Sequence, residues 1–247
     1  VFDSLEFGVP QSRKRIFIVG QKNIKPDING LQKKLNNKLS DILETGLDTL
    51  NTGFTERLLK HFSIEALYGK SIKDKRGGKN NIHSWDIGLK GYISKDQNEL
   101  LNQIFKERRK KKWAKEIGID WMDGMPLTLD QISTFSKIPK GKLKHLLDDL
   151  AFKGYLRIEH PKRLVIEETE VGTKKYREID KTKPMGYNIV TGKLSFEINK
   201  ILDPNDIAPT LVATDVSRLA VPDGNGLRRL TTREGLRLFG FPEWYKI

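Results

Sequence analysis

The 247 residues carry 45 lysines and arginines against 32 aspartates and glutamates, a net charge of +13 and a pI near 9.7, which points to a polyanionic partner, nucleic acid before an anionic membrane surface. There is no cysteine, so disulfides, thiolate zinc sites and a cysteine nucleophile are excluded within this chain. The length suffices for one large domain or two modest ones, and with no apolar run near the roughly eighteen residues of a membrane span and no apolar leader, a cytoplasmic protein is expected.

The chain starts at Val1 rather than methionine and is read as a piece of a longer polypeptide. Gln11, Arg13, Lys14 and Arg15 lie in a loop leading into Ile16-Phe17-Ile18-Val19-Gly20, an apolar run that predicts a strand buried on both faces of a mainly parallel sheet. A strand end is a rigid mount from which such cations can be aimed into a cleft, at phosphate or a carbonyl oxygen. No segment nearby supplies the alternating strands and helices that a whole doubly wound sheet requires.

From Asn23 to about Asn81 the sequence is polar and lysine-rich, with one short helix predicted around Thr55 to His61. At its end, residues 76–83 hold Arg76, Lys79, Asn80, Asn81 and His83 around paired glycines. Arginine can bond guanine, asparagine can bond adenine, and glycine permits close backbone approach. These five are therefore candidate DNA contacts, although a plain polar loop has the same composition.

Ser94-Lys95-Asp96-Gln97 is a capping box opening a helix that is expected to run to Gly118, with Leu100, Leu101, Ile104 and Phe105 as its buried stripe. Its second half is crowded with cations, of which Arg108, Arg109 and Lys111 are candidate phosphate contacts; a solvated face is the alternative. Thr128 to about Phe135 and the stretch bearing Leu143, Leu146, Leu147 and Leu150 read as two helices around a tight turn, followed by strands at residues 155–158 and 164–166. That outline resembles a winged helix-turn-helix over residues 125–167. Its second helix would present Lys140, Lys142, Lys144 and His145 to a groove, with Lys142 as the candidate contact, unless the pair is an ordinary helical hairpin. Residues 165–180 and 186–196 each read as a hairpin, turning at residues 171–173 and 191–192. Thr231-x-x-Glu234 is a second capping box, opening a helix that Phe241-Pro242 stops.

The two ends carry a family resemblance. Gln11-x-Arg13-x-Arg15 with its apolar run resembles the eighth motif of the DNA cytosine-5 methyltransferases. Arg228, Arg229, Leu230, Arg233, Glu234, Gly240, Phe241, Pro242 and Tyr245 follow the ninth. Gly235 stands where the motif usually has alanine. The resemblance implies that Arg15, supported by Arg13, helps to hold a flipped cytosine, and that the closing helix braces the recognition domain, with Arg229 and Arg233 as phosphate or inter-domain contacts. Residues 208–215 resemble the segment bordering the recognition loop, which makes Thr210, Thr214, Ser217 and Arg218 candidate DNA contacts beside Gln11, since hydroxyls and small side chains suit close approach to the sugar-phosphate backbone.

The expected fold is α+β, with a target-recognition domain over residues 23–200, remnants of a doubly wound α/β methyltransferase domain at 1–22, and a recognition loop and bracing helix at 201–247. The family attacks cytosine with a cysteine and takes the methyl from S-adenosylmethionine, after extruding the base. This chain has no cysteine and no glycine-rich cofactor loop. It is therefore expected to bind no cofactor or metal by itself, and to grip double-stranded DNA as the C-terminal part of a restriction-modification methyltransferase whose catalytic half is missing. A winged-helix DNA-binding regulator is the alternative.

Overall fold

The structure is a computed structural model. It describes the chain except for Gln21, residues 24–29, Leu31, Leu35, Asn36, Arg76, Glu170, Val171, residues 192–195, Ala213, Asp215 and Ile247. In chain order the elements are β1 (Phe2–Asp3), β2 (Lys14–Arg15), α1 (Gly53–His61), α2 (Ile64–Leu67), β3 (Ser71–Ile72), β4 (Asn81–Ile82), α3 (Lys95–Glu107) and α4 (Lys111–Glu116). There follow α5 (Leu129–Ser133), α6 (Lys140–Phe152), β5 (Leu156–Glu159), β6 (Lys162–Thr169), β7 (Gly172–Ile179), β8 (Gly186–Ile189), β9 (Lys200–Ile201), β10 (Leu219–Asp223), β11 (Gly226–Arg228) and α7 (Thr232–Leu238). They divide into two compact units, the first of Val1–Ile72 with Ser195–Ile247 and the second of Lys73–Leu194. The sequence reading groups residues 23–72 with the recognition stretch; in the structure they fall with the two ends.

In the first unit β11, β10, β9 and β3 are hydrogen-bonded in that order. β9 runs parallel to β10 and antiparallel to β3. Leu39, Leu202, Ala208, Leu211, Leu219, Val221 and Leu238 form an apolar core there. The run Ile16–Val19, expected as a strand buried on both faces, is not one: the strand stops at Arg15, and the four side chains are 74%, 62%, 93% and 59% exposed.

The second unit is built on α3, α5 and α6. α3 buries Leu100, Leu101, Ile104 and Phe105, the stripe its spacing predicts, and α6 buries Leu143, Leu147 and Leu150. Both pack with Trp85, Trp113, Tyr155 and Ile189 in one core. The helix expected to continue to Gly118 breaks after Glu107 and restarts as α4. Its C-cap is Arg108, whose guanidinium turns inward to donate to the Asn188 Oδ1 at 2.7 Å.

β5 does not form a hairpin with β6, as the two predicted strands suggested, but pairs with β8, and Leu127 bridges the far side of β8 at Tyr187. The order across this small sheet is thus Leu127, β8, β5. Between β5 and β8, β6 and β7 pair only with each other, over eight residues each. This is the hairpin expected at 165–180; its proposed turn at Val171 lies outside the described residues. Of the other expected hairpin, 186–196, the first strand is β8, which pairs with β5; residues 192–195, from its turn onward, lie outside the described residues.

Candidate nucleic-acid interface

In the first unit the two end segments lie against each other. Gln11 bridges Ala208 in parallel; Ala208 N–H donates to the Pro10 carbonyl at 2.8 Å, and the Thr210 hydroxyl donates to the Ser12 carbonyl at 2.7 Å. The loop is held in shape by Asp3, whose Oδ1 accepts from the backbone N–H of Arg13 (3.0 Å) and of Leu5 (3.3 Å). The Arg13 N–H in particular holds the Asp3 carboxyl below its ordinary range. Gln11 is fully buried, and neither end of its side-chain amide has a hydrogen-bond partner among the described residues. It is therefore no surface contact here, and the cations that follow it are the accessible part of the motif. Arg13 stacks over Phe239 at 5.2 Å, while Arg15 is exposed and donates to the neighbouring Lys14 carbonyl.

The closing helix is braced by charge. Arg228 donates to both Glu234 carboxylate oxygens (2.7 and 2.9 Å) and to Asp223 (2.9 Å), with the Arg228 and Glu234 side chains at 4% and 0% exposure. Burial would push the Glu234 carboxyl up. Arg228, together with the N–H groups of Thr231 and Glu44, outweighs it and holds that carboxyl below its usual value. Arg229 donates to the Glu197 carbonyl and Arg233 to the Tyr245 carbonyl. Each thus makes a bond to this unit's own backbone through one terminal nitrogen, and the other, Nη1, has no hydrogen-bond partner among the described residues. Thr214 and Ser217 are exposed and Arg218 is half-buried.

The second unit sorts the remaining candidates. Arg76 lies outside the described residues; Lys79 and Asn80 are exposed and Asn81 is half-buried. His83 is not a surface reader. It is buried, stacked on Trp85 at 4.3 Å between ring centroids, and its Nδ1 lies 3.2 Å from Asp86. Arg108 is likewise corrected from phosphate contact to core residue. It is 4% exposed, and burial first, with the neighbouring Arg109 second, brings it down to about 10. Asn188 in turn donates to Gly124 and Glu159, so this buried polar knot joins α3, the 124–125 turn and β8.

Of the cations flanking Arg108, Arg109 is paired with Asp123 at 3.2 Å, and Lys110 and Lys112 with Glu107. Lys111 is exposed over the Trp121 ring and has no carboxylate partner among the described residues. On α6, Lys142 pairs with Asp96 at 2.9 Å, Lys144 with Asp148 at 2.6 Å and Lys140 with Asp130. The face expected to enter a groove is thus neutralised by the protein itself. Trp121 and Arg177 were missed in the sequence; an aromatic residue just beyond a run of cations was the available signal.

Among the described residues no group of His, Asp and Glu is placed to hold a metal, and no helix is long and apolar enough to cross a membrane. No solved structure matches the chain. The profile described as C-5 cytosine-specific DNA methylase matches residues 1–247. Among curated proteins, the chain is 57% identical over 99% of its length to the Type II methyltransferase M.NlaIV of Neisseria lactamica, and 55% identical over 99% to M.NgoBV of Neisseria gonorrhoeae. It is 35% identical over 98% to M.BanI of Aneurinibacillus aneurinilyticus. In each case it spans 55% of the relative's own length, about half. With both end motifs present, laid side by side, and the match unbroken between them, this chain belongs to the C-5 cytosine-specific DNA methylase family.

Proposed function

We propose that this chain is the DNA-recognising, C-terminal part of a Type II cytosine-5 methyltransferase of a restriction-modification system, working with a cysteine-bearing half that supplies the nucleophile and S-adenosylmethionine. The observation that carries the reading is the joining of segments 198 residues apart, Ser12 to Thr210, which sets the cations of the eighth motif beside the loop that precedes the ninth. In this reading Arg13 and Arg15 face the extruded cytosine. The exposed run Ile16–Val19 becomes a buried strand once the catalytic half offers its sheet. The residues present do not fit S-adenosylmethionine: no glycine-rich turn joins a strand to a helix among the described residues. The cofactor therefore belongs to the other half.

The order helix α3, Leu127, α5, α6, β5, the β6–β7 hairpin and β8, with β8 central in the small sheet, supports reading the second unit as a winged-helix target-recognition domain. In this reading β6 and β7 form the wing, in place of the pairing of residues 155–158 with 164–166. A free-standing regulator would account for this unit alone, whereas the family match also spans both ends.

The test is reconstitution. The chain is mixed with the N-terminal part of M.NlaIV that it lacks, and methyl transfer to cytosine in duplex DNA is followed. Activity is expected from the mixture and from neither component alone. A chain that methylates by itself, or a mixture that associates without acting, would overturn the assignment.

A further inference from the structure

In the second unit the cationic run, Trp121 and β7 are linked by hydrogen bonds. Arg109 donates to the Lys75 carbonyl at 2.5 Å, and Trp121 Nε1 donates to the Arg109 carbonyl at 3.0 Å. Arg177 of β7 donates to the carbonyls of Asp120 (3.1 Å) and Trp121 (2.8 Å). One chain of hydrogen bonds therefore ties Lys75, the cationic run, Trp121 and the β6–β7 pair into a single strip.

Arg109, Lys110 and Lys112 of this strip are paired with Asp123 and Glu107, and three further cations are not. Lys111 and Lys115 are four residues apart on α4, hence on one helix face, and both are exposed. Lys175 is two residues from Arg177 on β7, hence on the same face of the hairpin and one pleat further out. None of the three has a carboxylate partner among the described residues. Acids on the ribbon do not change this: Glu178 is taken by Arg163 at 3.0 Å, and Glu167 and Glu168 stand opposite Lys174 and Thr173.

The hairpin is itself unusual. A two-stranded ribbon that packs against little else is marginal in water, and this one leaves Ile166 (57%), Tyr176 (39%) and Ile179 (56%) exposed between its cations. Exposed apolar side chains interleaved with lysines suit a duplex, whose major groove admits a two-stranded ribbon and offers thymine methyls as well as phosphates. By contrast, Lys140, Lys142 and Lys144 of α6 already face Asp130, Asp96 and Asp148. A cation neutralised by its own protein releases fewer counterions from DNA.

Building on the DNA-recognition reading above, we propose that the second unit engages the duplex through the β6–β7 hairpin and the Lys111–Lys115–Trp121 platform at its base, and not through α6. The hairpin enters the groove, and Lys111, Lys115 and Lys175 contact phosphates beside it.

The test uses two triple variants of equal charge change, K111A/K115A/K175A and K140A/K142A/K144A, with duplex binding followed by fluorescence anisotropy across a salt series. The first is expected to bind about tenfold or more weakly and to lower the slope of log affinity against log salt by roughly 2 to 3, at about 0.9 per phosphate contact. The second is expected to change affinity by less than about twofold, since those lysines are already offset by Asp130, Asp96 and Asp148 and so release fewer counterions. Lysine acylation of the wild-type chain gives a measurement free of mutants: bound duplex should protect Lys111, Lys115 and Lys175 and leave the α6 lysines reactive. Equal losses from both triples, or a larger loss from α6, overturn this inference alone. A wild-type chain that binds no duplex at low salt removes the DNA-recognition reading as well.

Discussion

Arg228 and Glu234 make the most consequential single contact of the first unit, because both charges are out of water and each is the other's main partner. Removing one partner of a buried pair leaves the other charge uncompensated, at a cost of about 3 to 5 kcal/mol. Glu234→Gln should therefore lower the urea midpoint of the chain by an amount of that order. The pH dependence follows from the depressed Glu234 carboxyl. Its contribution is complete above the ordinary glutamate range, about pH 4, and is lost as acidification carries the folded group through its lower titration. Wild-type stability should fall there by a component that the Gln variant lacks; parallel pH profiles would refute this account. The Thr231–Glu234 capping box is legible in the sequence from its three-residue spacing, and Thr231 and Glu234 do exchange both hydrogen bonds. That the same carboxylate also neutralises Arg228 is not, since a motif shows order along the chain and says nothing of which side chains share a buried space.

At the scale of elements, local patterns were legible where one stripe faced one core. α1, α6 and α7 lie close to their expected positions and α3 starts at its expected cap; Thr52, Ser94 and Thr231 cap α1, α3 and α7, while α6 has no side-chain cap and follows the spacing of Leu143, Leu147 and Leu150. The errors are of pairing: β5 and β8 are separated by a whole hairpin, and strand propensity does not choose among partners. Glycine substitutions expose the difference. A Cβ on Gly186 of β8 would stand 2.6 Å from the Leu127 backbone, so Gly186→Ala must push apart the bridge that completes the small sheet; a loss of about 1 to 3 kcal/mol is expected. A Cβ on Gly235 of α7 would meet nothing within 4 Å, and Gly235→Ala should stabilise by up to about 1 kcal/mol through helix propensity. Urea unfolding of both variants checks the opposite signs, and a neutral Gly186→Ala would mean that the Leu127–β8 contact is dispensable.

At the scale of the whole molecule, the exposed run Ile16–Val19 is the largest departure from what its sequence predicts. Continuous apolar side chains in water mark a surface that another component covers. Ile16→Asp/Ile18→Asp should thus leave the stability of this chain within about 0.5 kcal/mol, because those side chains bury nothing in it. The same change should abolish most of the methylation recovered with the M.NlaIV half. Wild-type activity in the reconstituted mixture would show that the run stays in solvent throughout.

The sequence by itself determined the basic charge, the absence of a cysteine nucleophile, the two end motifs and the principal helices, for each of these depends on composition or on neighbours within a few residues. Tertiary structure alone decided that Gln11, His83 and Arg108 turn inward, that the cations of α6 meet carboxylates from other segments, and that Lys111 is left over an aromatic ring. Whether a charge is available to a partner depends on which distant groups the fold brings within a few ångströms of it, and local sequence does not encode that distance.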